Sequence, residues 1–212
     1  MRSHPAIHWP PHWVTGHAHV MDHVADPVME HLSTEELEAG LDEIRRSPAD
    51  RGRVELIVRR PAVGEREVLT EGHLDTVVGL VGDTWPQRRS TRTPDGSPHP
   101  DMQLNVMNAR TVALLAGSPE RRALAGDQLY LDLDLSEANL PPGTWLELGS
   151  AVIEVTAQPH TGCAKFSQRF GREALRFVNS ETGKALRLRG LNARVVVPGV
   201  VREGDEVRKQ ER

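Results

Sequence analysis

A mostly β fold with inserted helices (α+β), in which an antiparallel sheet curls into a barrel, is predicted by three features of this 212-residue sequence. Leucines alternate with polar residues at Leu129, Leu131, Leu133 and Leu135, which is typical of a strand with one buried face. Short β-branched runs are separated by glycine and proline turns. Neither an internal repeat nor an alternating βαβ rhythm is present, which favours antiparallel pairing around inserted helices.

Composition and charge exclude several classes of protein. A hydrophobic content of 38% and a charged content of 26% indicate a folded globular chain. The net charge of -4 predicts neither nucleic acid nor an anionic membrane as a partner. A single cysteine cannot form an intramolecular disulfide or a Cys-rich zinc site. No run approaches the roughly 20 apolar residues of a membrane span, and no secretory signal is recognisable, so we expect a cytoplasmic protein.

The sequence divides into two parts. Residues 1–30 are rich in histidine and proline and are predicted to form a poorly ordered arm, whereas residues 31–212 are predicted to fold as one domain. Within the arm, the run GHAHVMDH has histidines at spacings that could share a metal ion, although an incidental His-rich tail is the simpler interpretation.

The first half of the domain begins with a helix. Ser33 as N-cap and Glu36 three residues later form a capping box, Leu37, Leu41 and Ile44 share one face, and Pro48 ends the helix. A strand is predicted from Val54 to Pro61, followed by another short strand and glycine turns. Residues 86–102 are predicted to form a long polar loop without regular structure. A helix of roughly ten residues, closed by Gly117, should follow.

The second half is predicted to hold most of the sheet. After the leucine-rich strand, the run PPGTWLELGSAVIEVT predicts two strands about a Leu-Gly-Ser turn. Two short helices are predicted after Cys163, from the runs AKFSQRFG and EALRFVNS. A final pair of strands is predicted from NARVVVPGVVREGDEV.

Cys163 is the main candidate for chemistry. The cysteine lies between a predicted strand and a predicted helix start, where unpaired backbone N–H groups favour an anion. Lys165 and His160 would add positive charge and favour the thiolate. A thiolate can act as a nucleophile, carry a persulfide sulfur or bind a soft metal, whereas a buried structural cysteine would do none of these. The motifs of serine hydrolases, zinc peptidases, dinucleotide-binding proteins and P-loop proteins are absent from the sequence.

The sequence from AGDQLYLDLDLSEANLPPGTWLELGS to AVIEVTAQPHTGCAKFSQRFG resembles the MOSC domain, the module named after the C-terminal part of eukaryotic molybdenum cofactor sulfurases. The resemblance depends on the Gly-Asp-x-Leu element, on the strand that leads through Gln158 and Pro159 to Cys163, and on Lys-Phe and Arg-Phe-Gly after it. Upstream, GLVGDTW resembles another Gly-Asp element of the family. The similarity covers roughly residues 50 to 209.

The resemblance implies a barrel-like fold in which Cys163 is either a molybdenum ligand or a sulfur carrier. Members of the family that reduce N-hydroxylated compounds bind a molybdopterin-type cofactor with the cysteine thiolate on the metal. In small bacterial reductases of the family a His-Gly-Gly stretch follows the Gly-Asp element. Here the loop reads TRTPDGSPHPDM, so that His99 takes part of that place and the two glycines are absent.

Candidate cofactor-binding residues follow from the chemistry of a phosphate and a pterin. Arginines and helix N-terminal amides bind phosphate, while asparagines can bind polar ring edges, although each arginine could equally be an ordinary surface charge. The candidates are His160, Thr161, Gly162, Lys165, Arg169, Arg92, His99, Asn105, Asn108, Arg110, Asn192 and Arg194, with Cys163 as metal ligand.

Three functional hypotheses remain open at this stage. The first is a molybdenum-dependent oxidoreductase that acts on small N-oxygenated molecules and takes electrons from an external donor protein, since no haem or iron–sulfur motif is present in the sequence. The second is a persulfide sulfur carrier or sulfurtransferase without bound metal. The third is a noncatalytic binding module in which Cys163 is structural.

Overall fold

The computed structural model describes residues 19–20 and 31–210. The α-helices are α1 (Thr34–Ala39), α2 (Leu41–Arg45), α3 (Ala109–Ala116), α4 (Ala164–Asn179) and α5 (Glu181–Ala185). The strands are β1 (His19–Val20), β2 (Arg51–Arg59), β3 (Glu67–Leu69), β4 (Glu71–Asp75), β5 (Gly79–Leu80), β6 (Leu104–Asn108), β7 (Leu129–Asp132), β8 (Trp145–Leu148), β9 (Ala151–Val155), β10 (Leu191–Val197), β11 (Gly199–Arg202) and β12 (Glu206–Lys209). Single 3₁₀ segments cover Trp85–Gln87, Pro100–Met102 and Pro119–Ala125.

A closed barrel forms the centre of the described structure. Seven of the described strands pair in the order β2-β12-β8-β9-β10-β6-β7, and β7 pairs back onto β2 to close the ring. The pairs are antiparallel except for β6 and β7, which run parallel. The predicted barrel with inserted helices is thus confirmed, with one parallel pair in place of a wholly antiparallel sheet. Strands β11, β4 and β5 form a small second sheet.

Two layers of apolar side chains hold the fold together. Leu129, Leu131 and Val54 belong to the cluster that fills the barrel. Tyr130 points the other way and packs with Met107 under helices α3 and α4, where it is fully buried. The predicted burial of the leucine face is confirmed, but Tyr130 on the opposite face is buried as well, because the helices cover the face that the barrel does not use.

The N-terminal helical segment follows its capping signals. Ser33 Oγ accepts a hydrogen bond from Glu36 N, and Glu36 Oε2 accepts one from Ser33 N, so the predicted capping box is confirmed. The helix is divided at Gly40, where a Cβ atom would lie 2.4 Å from Leu114 Cδ2. A glycine at the division between α1 and α2 therefore leaves room for the Leu114 side chain of α3.

Two of the sequence-based boundaries were wrong. Residues 104–108 form strand β6, so the helix that ends at Gly117 begins only at Ala109. The C-terminal run forms three strands, β10 to β12, and not a pair. The loop at residues 86–102 carries two short 3₁₀ turns but is otherwise irregular, as predicted.

The two helices predicted after Cys163 are the two halves of α4. Gly171 has φ 91° and interrupts the helical backbone between them. A Cβ atom at Gly171 would lie 2.8 Å from the Cβ of His31, so the start of the domain packs against this break. Apart from β1, which pairs with β3, the predicted N-terminal arm and its GHAHVMDH run lie outside the described residues.

Candidate functional site

Cys163 is the N-cap residue of α4, and its side chain makes no capping hydrogen bond. The thiol is exposed. The turn before it is fixed by Asn179 at the other end of α4, whose Oδ1 accepts from Gly162 N at 3.0 Å and whose Nδ2 donates to Gly162 O at 3.3 Å. The helix thus holds the cysteine in a defined place while leaving its sulfur atom free for a ligand.

A network of amides extends from this turn into the barrel. Asn105 on β6 and Asn192 on β10 are register partners, and Asn105 Nδ2 donates to Asn192 Oδ1 at 2.7 Å. Asn105 Nδ2 also contacts His160 Nδ1 at 3.0 Å, and Asn192 Nδ2 donates to Gln158 O at 3.1 Å. Three of the predicted site residues therefore meet, and the cysteine turn is bonded to the barrel wall.

His160 is a neutral imidazole in this setting. The pKa of His160 lies well below its ordinary value, first because the ring is buried and then because Arg189 and Arg60 are positively charged. A hydrogen bond with Asn192 acts in the opposite direction but is outweighed. Because Nδ1 accepts from Asn105, the hydrogen of the neutral ring is assigned to Nε2. The expectation that His160 adds positive charge beside Cys163 was therefore wrong at neutral pH.

Two buried arginine–carboxylate pairs lie beside this network. Arg60 donates from Nε and Nη2 to Asp83 at 2.8 Å each, and from Nη1 to Asn105 Oδ1 at 3.1 Å. Arg189 donates from Nη1 to both oxygens of Asp127, at 2.9 and 2.7 Å. Burial opposes ionisation of Asp83, but its bonds with Arg60 hold its pKa below the ordinary value. Burial raises the pKa of Asp127, against the attraction of Arg189.

Guanidinium groups converge on Gly126, which has φ +87°. A Cβ atom there would lie 3.0 Å from Arg66 Nη2 and 3.5 Å from Arg169 Nη1, and Arg60 Nη1 donates to Gly126 O at 3.0 Å. Arg189 lies next to them, because its Nη2 donates to the neighbouring Ala125 O at 3.3 Å. We call Arg60, Arg66, Arg169 and Arg189 the arginine cradle. Burial, then the charges of Arg169 and Arg60, lower the pKa of Arg66 to about 10, which leaves it protonated at neutral pH.

The arginine cradle has more positive charge than the nearby carboxylates neutralise and more hydrogen-bond donors than the nearby acceptors satisfy. In the described part of the chain, two buried carboxylates, Asp83 and Asp127, face these four guanidinium groups. Three buried nitrogen atoms there have no hydrogen-bond partner among the described residues: Arg66 Nε, Arg189 Nε and His160 Nε2. Buried donors are normally satisfied, so this arrangement is suited to an anionic ligand.

A cavity of about 280 Å³ lies beside the cradle and is lined largely by residues of the loop at 86–102. Arg92 and His99, both predicted site residues, line it together with Asn105, Trp85 and other loop residues. Arg92 Nη1 donates to Gln158 Oε1 at 2.9 Å, which connects the loop to the cysteine turn. We call this space the loop cavity.

Other predicted site residues have different surroundings. Asn108 is buried as the N-cap of α3 and donates to Ser47 Oγ and Leu133 O. Arg110 pairs with Asp132 and Glu43, and Arg194 pairs with Asp101 and Glu154. The structure therefore does not bring Asn108, Arg110 or Arg194 into the cradle. Thr161 and Lys165 are exposed on either side of Cys163.

Arg60, Arg66, Asp83, Asp127 and Arg189 were missed as site residues. The sequence does contain a signal for the two aspartates, because each follows a glycine in a Gly-Asp pair. In the structure both glycines have positive φ, Gly82 at 82° and Gly126 at 87°. Both aspartates are almost fully buried, at 3% and 0% exposure, which is rare for an acidic side chain without a partner. The arginines carry no comparable local signal.

Within the described residues, no three side chains of His, Cys, Asp or Glu converge as a set of metal ligands. No helix in the described part of the chain is both long and apolar enough to cross a membrane.

The MOSC domain family model matches residues 96–208, which is more than half of the chain, and the protein belongs to this family. The family is associated with molybdenum cofactor or sulfur-carrier roles in general. Among solved structures, the YuaD protein of Bacillus subtilis is similar, with a TM-score of 0.56, 17% identity and coverage of 76% of this chain and 97% of YuaD. YiiM of Escherichia coli has 24% identity, a TM-score of 0.49 and coverage of 76% and 70%. No curated protein matches the sequence.

Proposed function

We propose that this protein binds a molybdopterin-type molybdenum cofactor and reduces N-hydroxylated or otherwise N-oxygenated small molecules. In this proposal the Cys163 thiolate is the protein ligand of the metal, and the arginine cradle holds the anionic part of the cofactor. The observation that supports it is the meeting of Arg60, Arg66 and Arg169 at Gly126, with Arg189 bonded to the neighbouring Ala125 O. Arg66 Nε, Arg189 Nε and His160 Nε2 are buried there without a hydrogen-bond partner among the described residues.

The residues present fit such a group. The exposed sulfur of Cys163 is a soft donor of the kind that molybdenum accepts, and it makes no capping bond that a metal would have to displace. The cradle faces two carboxylates with four arginines, so a phosphate would neutralise charge that the chain leaves uncompensated. Asn105 and Asn192 lie between the two and could bind the polar edges of a pterin.

The protein residues would have distinct tasks. The bound metal would supply two-electron redox chemistry with transfer of an oxygen atom, and an external protein would return the electrons. Arg66 and Arg169 would bind the cofactor anion, and Arg60 and Arg189 would fix the two buried aspartates. His160 would hold a proton on Nε2 and donate a hydrogen bond from the inner wall of the site. The partners proposed are a small-molecule substrate and the electron donor, with neither nucleic acid nor membrane.

A persulfide carrier is the second candidate, and the exposed, uncapped thiol of Cys163 favours it. The Cys163 thiolate would attack the terminal sulfur of a donor persulfide, and the donor would leave as a thiolate. The Cys163 persulfide would then pass that sulfur to an acceptor thiolate by the same exchange. This reaction needs no metal, so metal content separates the two candidates.

The test is metal analysis of full-length protein made in a host that synthesises molybdenum cofactor. We expect about one molybdenum atom per chain in the wild type, loss of the metal in Cys163→Ser, and about tenfold weaker retention in Arg66→Gln. Arg172→Gln, an exposed arginine on α4, is the matched control and should keep the metal. A metal-free wild type, in a host that loads a known molybdoenzyme, would overturn the proposal. An added mass of about 32 Da on Cys163 would then support the carrier.

A further inference from the structure

The loop cavity presents hydrogen-bond donors and positive charge to any ligand. Arg88, Arg89 and Arg92 line it, and all three are solvent-exposed, as a site that exchanges its ligand requires. His99 Nδ1 accepts from Asp101 N at 3.2 Å, which assigns the hydrogen of a neutral ring to Nε2 and makes that atom a donor. Arginine forks and an N–H group together favour an oxyanion with several acceptor atoms.

The carboxylates near this cavity are engaged with other groups. Asp83 is held by Arg60, Asp95 accepts from Ser97 N at 2.9 Å, and Asp101 pairs with Arg194 at 3.5 Å. Among the described residues that line the cavity there is no aspartate or glutamate. The Arg88 side chain is exposed as a whole, but its guanidinium group is partly buried, and this burial together with repulsion by Arg60 lowers its pKa.

The loop that carries these arginines is held by its own hydrogen bonds. Ser90 N donates to Gly96 O at 3.3 Å, and Arg92 N donates to Ser90 Oγ at 3.1 Å. Gly96 has φ +73°, and a Cβ atom there would lie 3.3 Å from Arg89 Nη2. Arg89 is therefore packed on the loop, and Arg92 is fixed through Gln158. Arg92 is thus held in place without a ligand, which reduces the entropy that its side chain loses on binding.

We propose that the loop cavity binds the phosphate group of the substrate, so that this protein acts on small phosphate monoesters that carry a flat apolar group. This inference rests on the proposed function and names the substrate class for it. Three guanidinium groups suit a dianion with three terminal oxygens better than a carboxylate. Trp85, Pro98 and Met102 also line the cavity and provide apolar surface for a ring. Asn105 belongs to both this cavity and the amide network, which puts the substrate next to the cofactor site.

The experiment is a calorimetric titration of the full-length protein with phenyl phosphate at low salt. We expect binding, weakened about tenfold in Arg92→Gln and in Arg89→Gln, because each loses one charged hydrogen-bonding fork. Arg208→Gln, an exposed arginine on β12, is the control and should bind like the wild type. Absence of binding at millimolar ligand would overturn the inference. An affinity that falls in Arg66→Gln but not in Arg92→Gln would also overturn it, since the ligand would then occupy the arginine cradle.

Two comparison ligands define the class. Benzoate tests a carboxylate and inorganic phosphate tests an anion without a ring, and both should bind more weakly than phenyl phosphate. If benzoate bound as tightly as phenyl phosphate, the assignment to phosphate esters would be overturned. If inorganic phosphate bound more tightly than phenyl phosphate, the predicted contact between the cavity and a flat apolar ring would be overturned.

The failure of this inference can be told apart from failure of the proposed function. Cys163→Ser should bind phenyl phosphate as the wild type does, because the cysteine is not among the residues that line the cavity. A wild type that holds molybdenum but does not bind phenyl phosphate would retain the proposed function and reject this substrate class. Binding without any molybdenum would support the anion site and reject the proposed reaction.

Discussion

His160 Nε2 lies 3.3 Å from Asp127 Oδ1, and yet this buried nitrogen has no hydrogen-bond partner among the described residues. The two side chains belong to different parts of the chain, the cysteine turn and the segment just before β7, and Arg189 already binds both oxygens of Asp127. The carboxylate is thus committed to the arginine, and the imidazole faces it without aligned donation. This is the geometry of a site that a further polar ligand would complete.

The protonation state of His160 gives the first prediction. Burial and Arg189 lower its pKa well below 6.5, so it should stay neutral from about pH 8 to pH 6 in the protein without ligand. As the pH falls below 6.5, His160 is protonated in the unfolded chain but stays neutral in the native protein. The free energy of unfolding therefore decreases as the pH falls. Histidine ¹⁵N resonances, assigned with His160→Gln, should show a ring that does not titrate in this range. A midpoint near 6.5 would contradict the assignment.

The second prediction concerns the space at Gly126. An alanine at this positive φ should cost about 1–3 kcal/mol of stability, and its Cβ would lie 3.0 Å from Arg66 Nη2, so that the guanidinium must shift. Gly143→Ala is the matched control, because it has φ +91° and nothing within 4 Å of the added atom. Both variants should lose similar stability in urea titrations, but we expect molybdenum retention to fall only in Gly126→Ala. Equal retention would show that the cradle does not hold the cofactor.

The third prediction uses the buried pair of Arg60 and Asp83. Asp83→Asn removes the charge that Arg60 needs and should lower the unfolding free energy by about 3–5 kcal/mol. The folded pKa of Asp83 lies below its ordinary value of 3.8. Its contribution to stability is therefore complete above that value and is lost only as the pH falls through the folded pKa. The difference between wild type and variant in urea unfolding should stay constant from pH 7 to about pH 4.

Asp95→Asn is the control for this comparison, since Asp95 is exposed in the loop and its partner Ser97 N can still donate to an amide oxygen. Its unfolding midpoint should not change. A difference between wild type and Asp83→Asn that closes already above pH 5 would mean that Arg60 does not keep Asp83 ionised in the native state.

The parts of the fold that depend on local chemistry could be predicted from the sequence. The capping box at Ser33, the hairpin of β8 and β9 and the break between the two halves of α4 each depend on a few neighbouring residues. The exposed end position of Cys163 follows from the same local pattern, because a strand, a proline turn and a helix start are adjacent. These features survive in the folded chain because tertiary contacts reinforce them.

The arginine cradle could not be predicted in this way. Arg60, Arg66, Asp127 and Arg189 come together only when β7 closes the barrel onto β2 and the end of the α-helical region returns to β7. These residues are far apart in the sequence, and an arginine considered by itself is interpreted as an ordinary exposed charge. Burial, which a single sequence does not specify, is what converts these residues into a site.

The tripeptide Asn-Ala-Arg occurs at residues 108–110 and again at residues 192–194, and its two copies have different surroundings, which gives the last prediction. Asn192 is bonded to Asn105 within the amide network, whereas Asn108 Oδ1 accepts from Thr111 N at 2.9 Å and caps α3. Asn108→Ala removes a cap and two buried donor contacts and should cost about 2–4 kcal/mol, but the folded protein should load molybdenum normally. Asn192→Ala also removes two buried hydrogen bonds and should cost a similar amount of stability, but here we expect poorer metal retention.

Urea unfolding and metal analysis on the same preparations would measure both quantities. Asn105→Ala serves as the matched comparison for Asn192→Ala, because each removes one member of the Asn105–Asn192 bond and both should reduce metal retention in the same direction. If Asn108→Ala lost its metal while remaining folded, Asn108 would act in cofactor binding despite its place at the start of α3. If Asn192→Ala kept its metal, the amide network would serve only to join β6 to β10, because its polar groups would then be satisfied by the fold alone.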